Sequence, residues 1–415
     1  MMGKPKIRFK GYNEDWEQRK LGEVLVSLQN NTLSRADLSN ETGIAKNVHY
    51  GDVLIKFGEV LDVSEEKLPM ISDKSVLTKY KASFLQNGDV IVADTAEDST
   101  VGKCSEIAGL NDEVVLSGLH TIPYRPIEKF ASGYLGYYLN SSAYHKQLIP
   151  LMQGIKVTSI SKSAMQNTEI VYPKSVEEQG KIGNYFQSLD HLITLHQHKC
   201  DEMKKLKKCM LQKMFPQNGK KVPEIRFEGF TNDWEQRKFS ELYKKVNEKN
   251  IFRFGVDKII SVANMYFKED VKKPNDEYMR TYNIMRLGDI AFEGNKSKNF
   301  SHGRFVENTI GDGIVSHVFD VFRPVMDYDL LFWKYLINNE NVMGRIMTRC
   351  TKASTMMTNL VAKDFLNENI LVPTIEEQHK IGTYIDKLDH LITLHQHKCD
   401  ELQNLKKYML QNMFV

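Results

Sequence analysis

The chain is poor in cysteine, and its few cysteines are scattered. Five occur among 415 residues, at positions 104, 200, 209, 350 and 399. Their odd number and the absence of a CxxC pair argue against a disulfide framework and favour a reducing compartment. The sequence also has no apolar stretch long enough to cross a bilayer, and its first residues lack the apolar core of a signal peptide. We therefore expect a cytoplasmic protein without a membrane partner.

The sequence also lacks the common signatures of catalysis. No GxxxxGK[ST] segment occurs, which argues against a P-loop nucleotide site. No strand–GxGxxG–helix unit stands out, and the Asn-Pro-Pro-aromatic and Asp-Pro-Pro-aromatic tetrapeptides of amino-methyltransferases are missing. Neither an HExxH motif nor a carboxylate cluster indicates a nuclease. We expect a chain that has no catalytic residues and binds neither a cofactor nor a metal.

What the sequence does contain is internal repetition. Residues 177–215 and 376–414 align without a gap, and 29 of the 39 aligned positions are identical. A shorter repeat, here called the starter, occupies residues 5–20 and returns at 223–238. Two long stretches that look little alike, the inserts, lie between the copies. A repeated frame with two different inserts indicates one protein with two recognition domains of different specificity.

Each long repeat is predicted to be a helix. Ser175 with Glu178, and Thr374 with Glu377, fit the S/T-x-x-E capping box, in which hydroxyl and carboxylate satisfy each other's backbone N–H groups. Seam residues then recur at alternating steps of three and four, which is coiled-coil spacing. At ~1.5 Å per residue, each repeat makes a rod of roughly 58 Å. The predicted helix-pair packing residues are Leu189, Ile193, His196, Cys200, Met203, Leu388, Ile392, His395, Cys399 and Leu402.

The duplication makes the chain a pseudo-dimer, and most dimers have two-fold symmetry. We therefore predict an antiparallel helix pair with one insert at each end. His196 and His395 are the middle residues of their helices and would then meet, with Cys200 and Cys399 one turn away. Such a polar layer fixes the register of a coiled coil. Alternatively, two His and two Cys on facing helices suit a zinc ion.

The two inserts are predicted to share a mixed α/β fold. Residues 87–92, 287–292 and 50–55 each read as a turn that leads into a strand, and helices are expected at 130–150 and 328–349. The fold class is therefore α+β, with two mixed α/β domains joined by a pair of long antiparallel helices. The predicted segments are a starter and first insert at 1–174, a long helix at 175–215, a linker at 216–222, a starter and second insert at 223–373, and a long helix at 374–415.

The distribution of charge says more than the net charge of +3. Residues 130–168, 294–306 and 341–363 contain no carboxylate but keep basic side chains. Local basic patches on a near-neutral protein can bind phosphates, and base edges are read by Arg, Lys, Asn, Gln and hydroxyl groups. The candidate DNA contacts are Lys146, Gln153, Lys156, Thr158, Ser161, Lys162, Lys296, Ser297, Lys298, Asn299, Arg304, Arg345, Arg349, Lys352 and Ser354.

The duplicated order of motifs resembles the specificity subunit of type I restriction–modification systems. The resemblance covers essentially the whole chain. It rests on the starters, with Phe9-Lys10-Gly11-Tyr12 and Phe227-Glu228-Gly229-Phe230, and on the helix openings, with Glu177-Glu178-Gln179 and Glu376-Glu377-Gln378.

The resemblance implies a subunit that binds double-stranded DNA and is not itself an enzyme. Each insert would be a target-recognition domain for one half of a bipartite, asymmetric site, and the helix pair would set the unread gap. The pair would also dock two modification subunits, which carry S-adenosylmethionine and methylate adenine N6. Restriction subunits, which use ATP and Mg, would join to cleave unmodified DNA. No base-reading residue is carried over, because these residues vary with the target.

A coiled-coil scaffold whose two inserts bind proteins is an alternative function with the same repeats. The dependence of affinity on salt separates the two functions. DNA affinity falls steeply as salt rises, because binding releases counterions from the phosphates.

Overall fold

The chain folds into two compact units in a computed structural model. Unit 1 comprises Met1–His196 and His397–Val415, and unit 2 comprises Gln197–Gln396. Each long helix therefore contributes to both units. The structure describes residues 4–217, 219–269, 276–298, 300–353 and 357–415.

The first insert forms a mixed α/β domain that leads into the first long helix, α7. Short 3-10 turns lie at Arg35–Asp37, Lys81–Ser83 and Ile149–Leu151. The elements are β1 (Glu17–Lys20), α1 (Leu21–Val24), β2 (Leu25–Ser27), β3 (Ala45–Val48), α2 (Tyr50–Ile55), β4 (Val60–Asp62), β5 (Met70–Ile71), α3 (Lys74–Lys79), β6 (Val90–Ala93), β7 (Thr95–Ala96), β8 (Cys104–Ala108), β9 (Val115–Ser117), β10 (Thr121–Pro126), α4 (Tyr134–Asn140), α5 (Ser142–His145), β11 (Thr158–Ser159), α6 (Lys162–Gln166), β12 (Glu169–Tyr172) and α7 (Val176–Lys213).

The second insert is built in the same way and leads into the second long helix, α13. One 3-10 turn lies at Val256–Lys258. The elements are β13 (Glu235–Lys238), α8 (Phe239–Leu242), β14 (Tyr243–Val246), β15 (Ile260–Ser261), β16 (Tyr266–Phe267), α9 (Asp276–Met279), β17 (Asn283–Met285), β18 (Ile290–Glu293), β19 (Arg304–Glu307), β20 (Gly313–Val315), β21 (Val321–Pro324), α10 (Leu330–Ile337), α11 (Glu340–Cys350), β22 (Thr351–Ala353), β23 (Thr358–Leu360), α12 (Ala362–Asn367), β24 (Asn369–Val372) and α13 (Ile375–Asn412).

The central sheets show that the two inserts share one fold, as predicted. The main sheet of unit 1 has the strand order β2-β10-β6-β8-β4, and that of unit 2 has the order β14-β21-β18-β19. The first four strands of one correspond in chain order to the four strands of the other. The strands predicted at 87–92 and 287–292 are confirmed as β6 and β18. The two inserts therefore share the strand order of the sheet although most of their residues differ.

Each starter ends in a strand that pairs with the strand just before a long helix. In unit 1, β1 runs antiparallel to β12, with Glu17 opposite Tyr172. In unit 2, β13 pairs in the same way with β24, with Glu235 opposite Val372. Trp16 and Trp234, which precede these strands, are buried at 1% and 2% exposure. The starter therefore closes its insert at the point where the long helix begins.

The strand predicted at 50–55 is wrong, because this segment is the helix α2. The ring Nδ1 of His49 accepts the N–H of Gly51 at 3.2 Å and so caps the first turn. Val53 is buried, whereas Ile55 is 89% exposed. Since His is not among the usual capping residues, the sequence pattern gave no sign of a helix start.

The helices predicted at 130–150 and 328–349 are each interrupted by a polar capping residue. Ser141 separates α4 from α5, and its hydroxyl accepts the N–H of Tyr144 at 3.4 Å. Asn339 separates α10 from α11, and its side chain accepts the N–H of Asn341 at 3.1 Å. Each cap begins a new helix, because its side chain supplies an acceptor to a backbone N–H that has no partner within the helix.

The two long helices run antiparallel within each unit, as predicted. In unit 1, the rings of Phe186 in α7 and Phe414 after α13 stack with centroids 5.7 Å apart. In unit 2, the Cys200 thiol lies 3.8 Å from the carbonyl oxygen of Ile392. Each helix has 38 residues. The described helices include none that is both long and apolar enough to span a membrane.

The capping boxes of the long helices are only half formed. The hydroxyls of Ser175 and Thr374 lie 3.3 and 3.5 Å from the N–H groups of Glu178 and Glu377, respectively. The two carboxylates, however, bind arginines of the starters instead of returning to the cap. An arginine donates two charge-assisted hydrogen bonds to each carboxylate, which a single backbone N–H does not match. The sequence reasoning missed this partner because it lies in a distant repeat.

Candidate nucleic-acid interface

A closed loop presents one group of the candidate residues in unit 1. Gln153 and Ser159 exchange backbone hydrogen bonds of 2.9 and 2.8 Å, which close the loop at its base. Gly154 has a φ of +115°, and a Cβ there would lie 2.0 Å from the carbonyl oxygen of Val157. This turn therefore requires glycine. Lys156 at the tip is exposed, so its ammonium is available to a phosphate.

The remaining candidates of unit 1 surround this loop and have different roles. Lys146 and Lys162 are exposed. Thr158 lies in β11, which pairs with β7 and holds the loop against the domain. The Ser161 hydroxyl accepts the N–H of Ala164 at 3.2 Å and caps α6. A capping hydroxyl can still donate to an external acceptor, but its position is fixed by the helix.

The structure brings further polar side chains beside this loop that sequence reasoning missed. His120 has a φ of +55°, which is uncommon for a residue other than glycine. Its Nδ1 lies 3.5 Å from the hydroxyl of Thr95 and 3.4 Å from a carboxylate oxygen of Asp94. Its ring meets that of Tyr50 edge to face at 5.3 Å. Nothing in the local sequence marks these residues, because they come from three separate segments.

A tight turn presents the first group of candidates in unit 2. The backbones of Ser297 and Phe300 exchange hydrogen bonds of 3.0 and 3.2 Å. The Ser297 hydroxyl also accepts the Phe300 N–H at 3.2 Å. Lys296 and Lys298 are exposed on either side of Ser297. Asn299 lies outside the described residues.

Arg304 is bound within the protein at the base of this turn. Its Nε lies 3.4 Å from a carboxylate oxygen of Glu293, and its guanidinium donates to the carbonyl of Ala263. Its guanidinium carbon lies 5.1 Å from the centroid of the Phe300 ring. Arg304 therefore holds the turn in place. Its side chain is bound within the protein, in contrast to the exposed Lys296 and Lys298.

A second group of candidates lines a polar cleft of about 660 Å3 in unit 2. Arg345 is exposed on α11, whose start and end also border the cleft. Arg349 donates two hydrogen bonds to Glu368, which raises the pKa of the guanidinium. Burial raises the pKa of Glu340, and the nearby His302 opposes that shift. Lys352 is exposed in β22 beyond the end of α11, and Ser354 lies outside the described residues.

The predicted seam residues lie at the packed faces of the long helices. Within the described residues, no group of three or more His, Cys, Asp or Glu side chains is placed to hold a metal ion. The predicted meeting of His196 with His395 stays a prediction. The buried members of the set are Leu189, Cys200, Leu388, Cys399 and Leu402, and the half-buried members are Ile193, His196, Met203, Ile392 and His395.

A lysine, an aspartate and a tyrosine join the helix pair to the insert in unit 1. Lys406 lies 2.6 Å from the carboxylate of Asp190 and 2.8 Å from that of Glu59 in the insert. The Tyr137 hydroxyl donates to the same Asp190 at 2.6 Å. The helix α7, the helix α13 and the insert therefore each contribute one charged group to a partly buried network.

The same three residue types recur at the equivalent place in unit 2. Lys207 lies 2.5 Å from the carboxylate of Asp389, to which the Tyr335 hydroxyl donates at 2.8 Å. Lys207 and Asp389 are the repeat counterparts of Lys406 and Asp190. The repeated sequence of the helices therefore encodes attachment of the inserts as well as helix packing.

A buried ion pair lies at the start of β6 in unit 1 and at the start of β18 in unit 2. In unit 1, Arg125 of β10 binds Asp89 with hydrogen bonds of 2.9 and 2.7 Å. In unit 2, Arg323 of β21 binds Asp289, with the shortest hydrogen bond at 2.9 Å. Both aspartates are 1% exposed. This shared pair is part of the frame, because it faces the interior in both units.

Each central sheet contains a buried glutamate, Glu106 in β8 and Glu307 in β19. The Glu106 carboxylate accepts the N–H groups of Gly133 and Gly136 at 2.6 and 3.0 Å. Burial raises the pKa of Glu106 to about 7, although these two hydrogen bonds act to lower it. Burial likewise raises the pKa of Glu307 in unit 2. Both side chains are hidden from solvent, at 1% and 2% exposure.

The chain matches the model of one protein family twice. The family is described as the type I restriction modification DNA specificity domain, and the matches span residues 13–205 and 207–404. A Methanocaldococcus jannaschii protein, provisionally named the specificity subunit of type I restriction enzyme MjaX, is 20% identical over 428 residues, which cover 96% of this chain and 92% of that protein. The MjaVIII specificity subunit of the same organism is 22% identical over 285 residues, covering 62% and 64%.

A solved structure shares the fold over the full length. The crystal structure of a type I restriction–modification system S subunit from M. genitalium is similar with a TM-score of 0.60 at 14% identity, covering 100% of this chain and 99% of that one. The family match covers both halves of the present chain. The protein therefore belongs to the family of type I restriction modification DNA specificity domains and carries two copies of that domain.

Proposed function

We propose that the protein is the non-catalytic subunit that selects the DNA target of a type I restriction–modification complex. Each unit reads one half of a bipartite, asymmetric site in double-stranded DNA. The long helices set the gap between the half-sites and dock two modification subunits. Those subunits supply S-adenosylmethionine for adenine N6 methylation, and restriction subunits supply the ATP- and Mg-dependent cleavage.

The observation that carries this proposal is a shared frame with two different surfaces. The buried pairs Arg125–Asp89 and Arg323–Asp289 occupy equivalent places in the two sheets, each joining the strand β10 or β21 to the residue before β6 or β18. The exposed loops of the two units differ, with Lys156 in one unit and Lys296 and Lys298 in the other. Two unlike surfaces on one fold suit two unlike half-sites, because bases are distinguished by the side chains that reach them.

Exposed residues of the long helices support the docking of two copies of one partner. Leu195 and Leu394 are equivalent in the repeat and are 39% and 53% exposed. Packing within the protein constrains buried positions more than exposed ones, yet this exposed leucine is the same in both copies. A repeated apolar surface matches a repeated partner. We expect Leu195→Ser and Leu394→Ser each to remove one modification subunit, as measured by native mass spectrometry.

Mapping of modified adenines in the source genome tests the target-selecting role directly. Deleting the gene should abolish one bipartite, asymmetric N6-methyladenine motif, provided that the modification subunits are expressed. If every motif persists, target selection by this chain is refuted. The scaffold function would then be tested by DNA binding of the purified complex at increasing salt.

A variant of the unit 2 loop tests where the half-site is read. Replacing Lys296 and Lys298 by Ala should lower DNA affinity and reduce the salt slope by about one for each phosphate that is no longer neutralised. Lys268→Ala, another exposed lysine of unit 2, should change neither quantity. An unchanged salt slope in the double variant would place the phosphate contacts elsewhere.

A change in helix length tests the gap. Inserting one heptad into each long helix should lengthen the unread gap and leave both half-sites unchanged. The methylation motif of the inserted variant measures both properties at once. Retention of the original gap with intact methylation would refute the role of the helices in spacing.

A further inference from the structure

The loop after β14 holds two large apolar side chains in solvent. Ile251 is 79% exposed and Phe252 is 56% exposed. Phe252 has a φ of +56°, in the left-handed region. A bulky residue in this region is a genuine outlier, since its Cβ lies too close to the backbone. The fold therefore keeps this ring outside in a strained conformation.

The side chain of a buried asparagine, Asn250, holds the backbone of this loop in its conformation. Asn250 is 1% exposed, and its side-chain oxygen accepts the N–H groups of Arg253 and Phe254 at 3.1 and 3.0 Å. Its side-chain nitrogen donates to the carbonyl of Phe254 at 3.0 Å. These bonds bridge the Phe252 peptide on both sides. The ring therefore points outward because the loop is anchored beneath it, and strain of this kind clusters at binding sites.

One arginine contacts the exposed ring, and a second lies on the same loop. The Arg280 guanidinium carbon lies 4.0 Å from the ring centroid, which is a close cation–π contact. The guanidinium of Arg253, the next residue, lies 3.8 Å from Glu248. Glu248 also pairs with Arg286 at 2.7 Å and Arg323 at 2.9 Å. Asp289 also binds Arg323, so two carboxylates pair with three guanidiniums, and together with Arg280 the cluster keeps a net positive charge.

The loop lies at the same end of unit 2 as the lysine-bearing turn. The Thr281 hydroxyl, next to Arg280, lies 3.4 Å from His317 Nδ1. The turn that contains His317 reaches the end of β18, where the Phe292 N–H donates to the carbonyl of Asp320 at 3.2 Å. β18 leads directly into the turn that carries Lys296. The loop with Ile251 and Phe252 therefore lies on the same side of unit 2 as the candidate residues of the Lys296 turn.

We propose that Phe252 is an apolar wedge that inserts at a base step of DNA, in or beside the half-site of unit 2. This inference rests on the proposed function. Arg280 and Arg253 neutralise the phosphates on either side while the ring stacks against an exposed base. Side chains such as Phe and Ile make this kind of insertion in DNA-binding proteins and locally unstack the step. The net positive charge beside the ring favours a polyanion such as DNA over an uncharged protein surface.

The test uses fluorescence of 2-aminopurine in the duplex that contains the methylated motif. The probe replaces one base at a time in the unit 2 half-site and its flanks, leaving out the methylated adenine, because flipping of that base also raises fluorescence. The full chain, with its modification subunits, should raise fluorescence at one step. Phe252→Ala should abolish that rise and weaken binding about tenfold, the effect of removing one aromatic ring from a stacked base.

Two further variants separate insertion from folding. Tyr266→Ala removes an aromatic side chain of similar exposure, 50%, from the same unit and should retain both the rise and the affinity. Phe252→Gly suits the left-handed backbone, so it should fold at least as well as the wild type and still lose the rise. Its melting temperature confirms that the loss does not come from unfolding.

Each outcome decides the proposal. A fluorescence rise that survives Phe252→Ala, or no rise at any position, overturns the wedge even if binding to the motif is specific. Unchanged DNA affinity with weaker association of a modification subunit assigns the ring to a protein contact instead. Failure of the wild-type complex to prefer the motif over a duplex with an altered half-site refutes the proposed function itself.

Discussion

The N–H of Ile7 donates to the carbonyl of Asn412 at 2.9 Å, so the first starter is held at the end of the last helix. The same bond, also 2.9 Å long, joins Ile225 to Lys213 where the second starter follows the first long helix. From α7 the chain continues into the second starter. Between α13 and the first starter, a hydrogen bond and packing make the connection. The two junctions are structurally alike although only one is covalent.

This likeness predicts that the chain tolerates circular permutation. A short linker from Val415 to Lys4, with new ends opened within 216–222, should give a protein with the wild-type circular dichroism spectrum and DNA preference. Both junctions already have the required geometry, so the permutation exchanges which one is covalent. A matched permutant opened at Gly88, in the turn before β6, should fold less well because it separates residues bound to Asp89. Loss of folding in the first permutant would contradict the equivalence.

The buried ion pair between Arg8 and Glu178 should hold the first starter in place. Their side chains are 13% and 2% exposed, and Arg8 makes bonds of 2.6 and 2.9 Å. Arg8→Ala leaves a buried carboxylate unpaired, which should destabilise the starter by about 3 kcal/mol. Hydrogen exchange should speed up in residues 17–20, whereas the exposed control Lys10→Ala should leave it unchanged. Equal exchange rates in both variants would show that the ion pair does not hold the starter in place.

The repeat offers an internal comparison at Lys406 and Lys207. Lys406 is 16% exposed between two carboxylates, whereas Lys207 is 25% exposed beside one. Lys406→Ala should therefore cost about 2 kcal/mol, and Lys207→Ala about 1 kcal/mol, after allowance for solvent screening. Urea unfolding of the two variants measures the difference. The same loss in both would show that Glu59 adds nothing to the network.

The raised pKa of Glu106 makes unit 1 less stable as pH rises. The folded-state pKa is about 7, against an ordinary value of 4.5. Between these values the folded state binds more protons than the unfolded state, so the unfolding free energy falls with pH. The stabilisation is complete below pH 4.5 and lost above pH 7, with a size on the order of 3 kcal/mol.

Glu106→Gln should remove that contribution to the slope. Thermal melts at pH 5 and pH 8 compare the two proteins. The wild type should lose more stability than the variant between these pH values, whatever the absolute stability of the variant. Parallel curves would show that Glu106 is ionised in the fold.

The sequence predicted the main architecture because repetition and periodicity are local properties. The seam spacing and capping hydroxyls predicted α7 and α13, and both are confirmed as 38-residue helices. The predicted family is confirmed by the two matches at 13–205 and 207–404. The strand predicted at 50–55 failed because its helix depends on an unusual cap, His49, whose role arises only in three dimensions.

The candidate DNA contacts also show which properties of single residues the sequence predicts and which only the fold decides. Acid-free stretches identified exposed lysines such as Lys156 and Lys296, and these stay predictions. Sequence could not separate them from Arg304, whose guanidinium is bound by Glu293 and Ala263. It also missed His120 and Phe252, since a left-handed backbone is not visible in residue types.

The sequence by itself determined the duplicated frame, the two long helices and the presence of two different surfaces. These follow from patterns repeated along the chain, where each residue reports on its near neighbours. The tertiary structure decided which charges are free and which are paired, because ion pairs such as Arg8 with Glu178 join residues far apart in sequence. It also decided that Phe252 stays in solvent, since the buried hydrogen bonds of Asn250 anchor that loop.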